Sequence, residues 1–235
     1  MEGLPRICVP EGVQPGALAL PDAQARHLAA RRLRQGDAFL VFAGDGIEYH
    51  ARIDEASRDG VTATVLDVAR QEPPPARRVE VWCANVRANR MEWAIEKCVE
   101  AGLDVFRPIT TEHSARGQEL SEGRLDRWER IAIEAAEQCG RLYLPVVAPV
   151  VTFEQAVEGL EGALVLANRD GAPWGEVVGK LPERGSLAVA VGPEGGFTDA
   201  EVSRATEAGA MVASLGPHTL RTETAAVVAV ALARA

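Results

Sequence analysis

No run of about 18 apolar residues occurs anywhere in the chain, so no membrane-spanning helix is expected. The opening residues, MEGLPRICVPEG, lack a basic segment leading into an apolar one, so a secretory leader is not expected either. Cysteine is sparse: Cys8, Cys83, Cys98 and Cys139 are scattered with no CxxC pair. That argues against a zinc ribbon or a disulfide framework, implies no metal and fits a reducing cytoplasm, with the thiols as small buried hydrophobes. Neither GxGxxG nor GxxxxGK[ST] is present, which disfavours a dinucleotide-dependent oxidoreductase and a P-loop enzyme. The chain also lacks the positive charge common among nucleic-acid binders; its formal net charge is −9. The charge is uneven, however. RHLAARRLR, residues 26–34, holds Arg26, Arg31, Arg32 and Arg34 and no acid, and Arg77, Arg78, Arg87 and Arg90 form a second basic cluster. Such a face can hold RNA locally, and it serves equally as a solvated helix face.

What is present divides the chain in two. Residues 1–70 read as a small β-rich module. Helical spacing covers 22–33 with Asp22 as N-cap, and AFLVF (38–42), IEYHARI (47–53) and VTATVLDV (61–68) read as strands. Gly44-Asp45-Gly46 and Arg58-Asp59-Gly60 supply turns. QEPPPARR, 71–78, reads as a stiff linker. From 79 to 235 strand and helix alternate: strands at 79–86, 103–109, 163–167, 187–191 and 211–215, and helices at 90–101, 122–139, 199–208 and 223–234. Asn89 with Glu92 and Thr198 with Glu201 read as capping boxes. Short, continuously apolar strands between helices predict an α/β domain with a parallel sheet covered on both faces.

Two strands end alike: LAVAV runs into GPEGG and MVASL into GPHTLRTETA. Ligands of open parallel sheets bind outside the carboxyl ends of strands, so two adjacent glycine-bearing ends make a reasonable pocket wall. The first loop carries Glu194 and no lysine, which a polyphosphate would oppose. A nucleoside without phosphate fits better, and S-adenosylmethionine, with its positive sulfonium, is one. Turn chemistry alone also favours glycine here.

VGPEGGFTDAEV followed by LGPHTLRTETAA resembles the signature pair of the SPOUT methyltransferases. Within them the chain is similar to the bacterial group that methylates N3 of a uridine in 16S ribosomal RNA. PRICVP, HLAARRLRQGD, RMEWAIEKCVEAGLDVFRPITTEHS and RWERIAIEAAEQCGRLYLP follow in that family's order and spacing. The resemblance implies a PUA-like β-barrel over the N-terminal module and a trefoil-knotted SPOUT parallel sheet after it. It also implies S-adenosylmethionine as cofactor, a homodimer, and 16S rRNA or the assembled small ribosomal subunit as partner. A catalytically silent RNA-binding protein, or a SPOUT enzyme acting on another RNA, remains open.

By the same resemblance, Gly192, Pro193, Glu194, Gly195 and Gly196 form one cofactor loop. Leu215, Gly216, Leu220, Thr222, Thr224 and Ala225 form the second, and Leu166, Ala167 and Asn168 a third side. Glu194 is alternatively a tie within its own loop. Arg221 stands at a helix start, where the macrodipole disfavours a cation by about 0.3–1 kcal/mol. It suits an RNA phosphate or a uracil oxygen gaining charge, or else an ion pair with Glu223. Glu223, Glu194 and water are the candidates for taking the N3 proton. Arg6, Arg87, Gln138 and Arg141 complete the expected RNA-facing set. Three positions depart from the family pattern: His218 replaces a usual arginine, Arg87 a usual lysine, and EAG (100–102) the usual ELG.

Overall fold

The computed structural model describes residues 4–57, 60–114 and 123–235. The expected turn residues Arg58 and Asp59, and Glu122 at the expected start of a helix, lie outside the described residues. Two compact units form: 1–74 with 136–144, and 75–135 with 145–235. The stretch 136–144, which a division at the prolines gives to the second domain, therefore packs with the first unit.

In the first unit, β1 (Arg6–Cys8), β2 (Gly16–Leu20), α1 (Asp22–Ala30), β3 (Ala38–Phe42), β4 (Ile47–Ser57) and β5 (Gly60–Gln71) follow in order. The sheet order is β1-β3-β4-β5-β2, antiparallel except for β1 against β3. Alternate residues such as Phe39 and Val41, or Ala51 and Ile53, face one core. Ile7 and Leu20, from the two edge strands, share that core with Leu28 of α1. The α1 N-cap is Pro21, not Asp22, and no side chain caps it. Asp22 is instead the first helical residue, an acid on the favourable side of the dipole. Gly44 and Gly46 both take positive φ, and a Cβ on Gly46 would stand 2.3 Å from the Tyr143 hydroxyl.

After β5 the chain forms β6 (Arg77–Ala84), α2 (Ala88–Glu100), β7 (Val105–Thr110), α3 (Arg124–Cys139), β8 (Val146–Val147), β9 (Val151–Thr152) and α4 (Phe153–Glu158), all of the second unit except residues 136–139 of α3. Then come β10 (Ala163–Pro173), α5 (Trp174–Val178), β11 (Gly185–Val191), α6 (Asp199–Glu207), β12 (Met211–Ser214) and α7 (Thr222–Arg234). The sheet is parallel throughout, ordered β12-β10-β11-β6-β7-β8, with β9 also on β7. Phe153 and Val157 of α4 and Ala205 of α6 pack on Trp82, Ala188, Ala190 and Leu166. The opposite side carries α7, which packs on β6, β11 and α2. Both faces are thus covered, and the strands need no polar alternation.

Two further helix starts test the capping expectations. Thr198 and Glu201 form both bonds of a capping box at α6, as the spacing predicts. Asn89 does not cap α2; it is the second helical residue, and Arg87 is the N-cap with no side-chain bond. Glu92 is drawn away by Arg127 of α3, whose Nε and Nη2 lie 2.7 and 2.8 Å from its two oxygens. A bidentate charged pair is stronger than a reciprocal cap. At the other end of the chain, Arg234 donates from Nε to Gly102 O and from Nη1 to Arg77 O, both at 2.7 Å, and pairs with Asp104. That fixes the last turn of α7.

Candidate active site

The two glycine-bearing strand ends are not neighbours: β10 runs between β11 and β12. Pairing by sequence likeness missed this, because nothing in the two motifs records which strand separates them. The loops nevertheless meet. Thr222, 3 % exposed, donates its Oγ1 proton to Gly192 O at 3.1 Å. Between them lies β10, with Leu166 buried and Ala167 and Asn168 half-buried. The β10–β12 register jumps there, so that Ala167 and Ala172 both face Ala213 and residues 168–171 bulge out. Asn168 Oδ1 accepts from the Asp170 amide at 3.2 Å, and a Cβ on Gly171 would lie 2.6 Å from the Ala213 backbone. The glycine before the bend in NRDG was the available signal for this bulge.

The first loop is fixed from three sides. A Cβ on Gly192 would press the Phe197 ring at 3.2 Å. His113 Nδ1 lies 3.1 and 3.2 Å from the carbonyls of Gly195 and Gly196. Carbonyls only accept, so Nδ1 carries the proton. Beside it the Glu112 amide donates to Glu201 Oε1 at 3.0 Å, which ties the same turn to the start of α6. Arg90 Nη1 donates to Glu194 Oε1 at 2.9 Å. Motif reasoning assigned neither His113 nor Arg90 to the site; their only signals were the quoted TTEHS block and the basic cluster.

A Cβ on Gly196 or on Gly216 would meet nothing within 4 Å. Both take positive φ, 70° and 144°, which a side chain would strain. The loops thus expose bare backbone to open space, the kind of surface a nucleoside reads through N–H and C=O groups. Leu215 and Leu220 stand half-buried around it, and Pro193 and Ala225 are buried.

The acid and the cation at the start of α7 part company. Glu223 is 8 % exposed and faces Arg90, Oε1 to Nε at 3.7 Å. Arg221, the N-cap of α7, is exposed, and its side chain has no hydrogen bond or ion pair among the described residues. The ion pair between Arg221 and Glu223 does not form. Thr224, one residue on, is half-buried. At the C-terminal end of β6, Cys83 is fully buried, and burial first, then the Glu223 charge, pushes its thiol up to about 12.

The remaining expected RNA contacts divide by accessibility. Arg26, Arg31, Arg32, Arg34 and Gln138 in the first unit are exposed, as is Arg87 in the second. Arg32 ends α1 with φ 60°, a position helices usually give to glycine. Arg141 is half-buried, with Nε on Tyr143 O at 3.3 Å. Arg6 must be reassigned. Its Nε meets Glu48 Oε1 at 2.5 Å, Nη1 donates to Ala136 O and Glu137 O at 3.1 and 2.7 Å, and Nη2 donates to Arg141 O at 3.0 Å. Its guanidinium carbon also lies 4.5 Å from the centre of the Phe42 ring. A guanidinium so occupied has little left for phosphate, and Arg6 is a structural residue of the first unit.

This is the architecture of an RNA-modifying methyltransferase: a mixed-sheet module and a parallel-sheet unit whose glycine loops gather at one strand end. Residues 72–234 match the family described as RNA methyltransferase domain, and 20–66 the family described as RNA methyltransferase PUA domain. The chain belongs to this RNA methyltransferase family, and its second unit has the SPOUT fold. A curated relative, ribosomal RNA small subunit methyltransferase E of Synechocystis sp., is 34% identical over 96% of this chain and 75% of that one. The protein of the same name from Bacillus subtilis is 32% identical, over 83% and 80%. Among solved structures, the S-adenosyl methionine-bound ribosomal RNA small subunit methyltransferase E of Neisseria gonorrhoeae matches with TM-score 0.84 and 30% identity, covering 97% of this chain and 96% of that one. A putative methyltransferase of Legionella pneumophila, in complex with bound SAM, matches with TM-score 0.89 and 29% identity, covering 99% and 97%.

Proposed function

We propose that the protein uses S-adenosylmethionine to methylate small-subunit ribosomal RNA, at N3 of a uridine. The observation that carries this reading is the meeting of two bare-backbone glycine loops across β10, bonded through Thr222 and Gly192, beside an exposed Arg221 whose side chain has no partner among the described residues. Gly195, Gly196 and Gly216 offer backbone groups to the nucleoside, and Leu166, Leu215 and Leu220 its apolar surroundings. When bound, S-adenosylmethionine supplies an electrophilic methyl group on a positive sulfur.

Uracil N3 lies on the pairing edge, so the base must leave its stack, at a cost of a few kcal/mol. N3 is weakly nucleophilic until it loses its proton. Arg221 is the group here that stabilises the negative charge gathering on the uracil oxygens as that proton leaves. Glu194 has the exposed carboxylate and Glu223 the enclosed one. The proton therefore passes to water or Glu194, while Glu223 anchors the helix. Holding both reactants in line provides most of the remaining acceleration.

The exposed arginines Arg26, Arg31, Arg32, Arg34 and Arg87, with Gln138 and Arg141, are the proposed RNA contacts, either on 16S rRNA or on the assembled subunit, in the cytoplasm. A homodimer is proposed on the outward side of α7, where Val227, Val228, Ala231 and Leu232 leave an apolar strip. A helix apolar on every side is normally covered. Primer extension on ribosomal RNA from cells with and without the gene tests the activity. A reverse-transcription stop that depends on the gene is expected, and identical profiles would refute the reading. Calorimetry with S-adenosylmethionine separates a methyltransferase from a silent RNA-binding protein, which gives no heat.

A further inference from the structure

Arg90, the third residue of α2, lies between the two acids of the site. Its Nη1 donates to Glu194 Oε1 at 2.9 Å, and its Nε is 3.7 Å from Glu223 Oε1, inside ion-pair range but too long for a hydrogen bond. Glu223 Oε2 is buried with no hydrogen-bond partner among the described residues. One guanidinium thus serves two carboxylates, one on the glycine loop and one in the first turn of α7. Glu223 is itself 8 % exposed, in the first turn of α7, and its charge adds to the burial that raises the pKa of the Cys83 thiol. Without Arg90, neither carboxylate would keep an ion-pair partner among the described residues, and the Thr222–Gly192 bond would be left to tie loop to helix.

We propose that Arg90 is a positioning residue of the methyl-transfer site: its guanidinium sets the loop 192–196 against the first turn of α7 in the arrangement that accepts the methyl donor. This rests on the methyltransferase reading. Arg90 touches neither reacting atom in this role; it acts through Glu194 and Glu223. Lysine cannot replace it fully, because one ammonium lacks the fork that reaches two carboxylates.

The test measures the full chain in two ways: calorimetric affinity for S-adenosylmethionine, and hydrogen exchange of the 194–196 amides without ligand. Losing a charge-assisted bond predicts that Arg90→Gln weakens binding by about tenfold or more. It also predicts faster exchange in the loop, with the KM for RNA little changed. Arg90→Lys should recover part of the affinity. Glu194→Gln should give a smaller loss, and the double variant should bind no worse than Arg90→Gln alone. Unchanged affinity in Arg90→Gln overturns the proposal, even where loop exchange rises, since the contact is then merely structural. Additive losses in the double variant overturn it as well. If Arg90→Gln fails to fold, Glu194→Gln, altered at an exposed side chain, decides: affinity and exchange both at wild-type values refute the link. If the wild-type chain itself gives no heat, the functional reading falls, and unchanged exchange in Arg90→Gln would then separately remove the Arg90 link between loop and helix.

Discussion

Replacing Arg6 with alanine separates two accounts of that residue. A phosphate-gripping arginine can be removed without disturbing the fold. The bonds of Arg6 predict the opposite. Glu48, 4 % exposed, meets Arg6 at 2.5 Å and has Arg70 Nε only as a second partner at 3.7 Å. Breaking a buried pair from one side costs about 3–5 kcal/mol. Arg70 softens that toward the lower figure. The carbonyls of Ala136, Glu137 and Arg141 lose charged donors, adding about 1 kcal/mol or somewhat more. A total near 4 kcal/mol is a large part of the roughly 5–15 kcal/mol that holds a domain. For a unit of this size it lowers the melting temperature by on the order of 15–30 °C.

Differential scanning calorimetry of the full chain, with limited proteolysis of the first unit, measures the effect. Arg6→Lys should recover less than half of the loss, since an ammonium cannot reach Glu48 and three carbonyls together. The refuting result is specific: Arg6→Ala melting at the wild-type temperature, with RNA binding less salt-dependent by about 0.7–0.9 in the log–log slope. That pattern would return Arg6 to the RNA face.

Four further outcomes are expected. Thr222→Val removes the Thr222–Gly192 bond without changing shape and strands a carbonyl, at about 1–3 kcal/mol; calorimetry should show S-adenosylmethionine affinity falling by about tenfold, and wild-type affinity would show that the loops do not need the tie. Arg32→Gly relieves a left-handed arginine, so it should raise the urea midpoint while weakening RNA binding; a lowered midpoint would count against strain at that turn. Burial raises the thiol pKa of Cys8 and Cys83 from 9.0 to about 12, and that of Cys98 upward too, so a thiol reagent at neutral pH should reach Cys139 first in the folded chain and all four in denaturant. A pKa raised by folding gives stability that is whole below the unfolded value and is lost as pH rises, so stability should fall between pH 9 and about 12; a flat profile there would contradict the burial of these thiols.

Much of this was legible because local chemistry agreed with the fold. Phe39 and Val41 lie two residues apart on the core face of an apolar strand, Val189 and Val191 sit in an unbroken apolar run, and Thr198 and Glu201 close their box at the expected spacing. What was not legible depends on partners far along the chain. β1, β2, β8 and β9 are too short, or too plain in pattern, to stand out, and their pairing with distant strands makes them. Asn89 and Glu92 satisfy a cap pattern, yet Arg127, 35 residues away, takes the glutamate. Arg6 looks like a free N-terminal cation until Glu48 and the carbonyls of 136–141 are placed around it. The separation of the two glycine loops by β10 is a matter of strand order, which neither motif encodes.

The site shows why so little of it announces itself through side chains. The surface proposed to take the methyl donor is peptide backbone, at Gly196 and Gly216 above all, and backbone carries no residue signature beyond the lack of a Cβ. Bare loops are also soft, since each glycine gains freedom when released. Their shape must therefore be imposed from outside, and the structure does this with polar ties on three elements: His113 after β7, Arg90 on α2 and Thr222 at the start of α7. Each tie ends on a carbonyl or a carboxylate of the first loop, and each comes from a different stretch of sequence. Affinity for the cofactor should therefore depend on residues that never touch it. Arg221, by contrast, has a side chain left untied among the described residues at the same helix start, which is what the proposed role at the base requires of it.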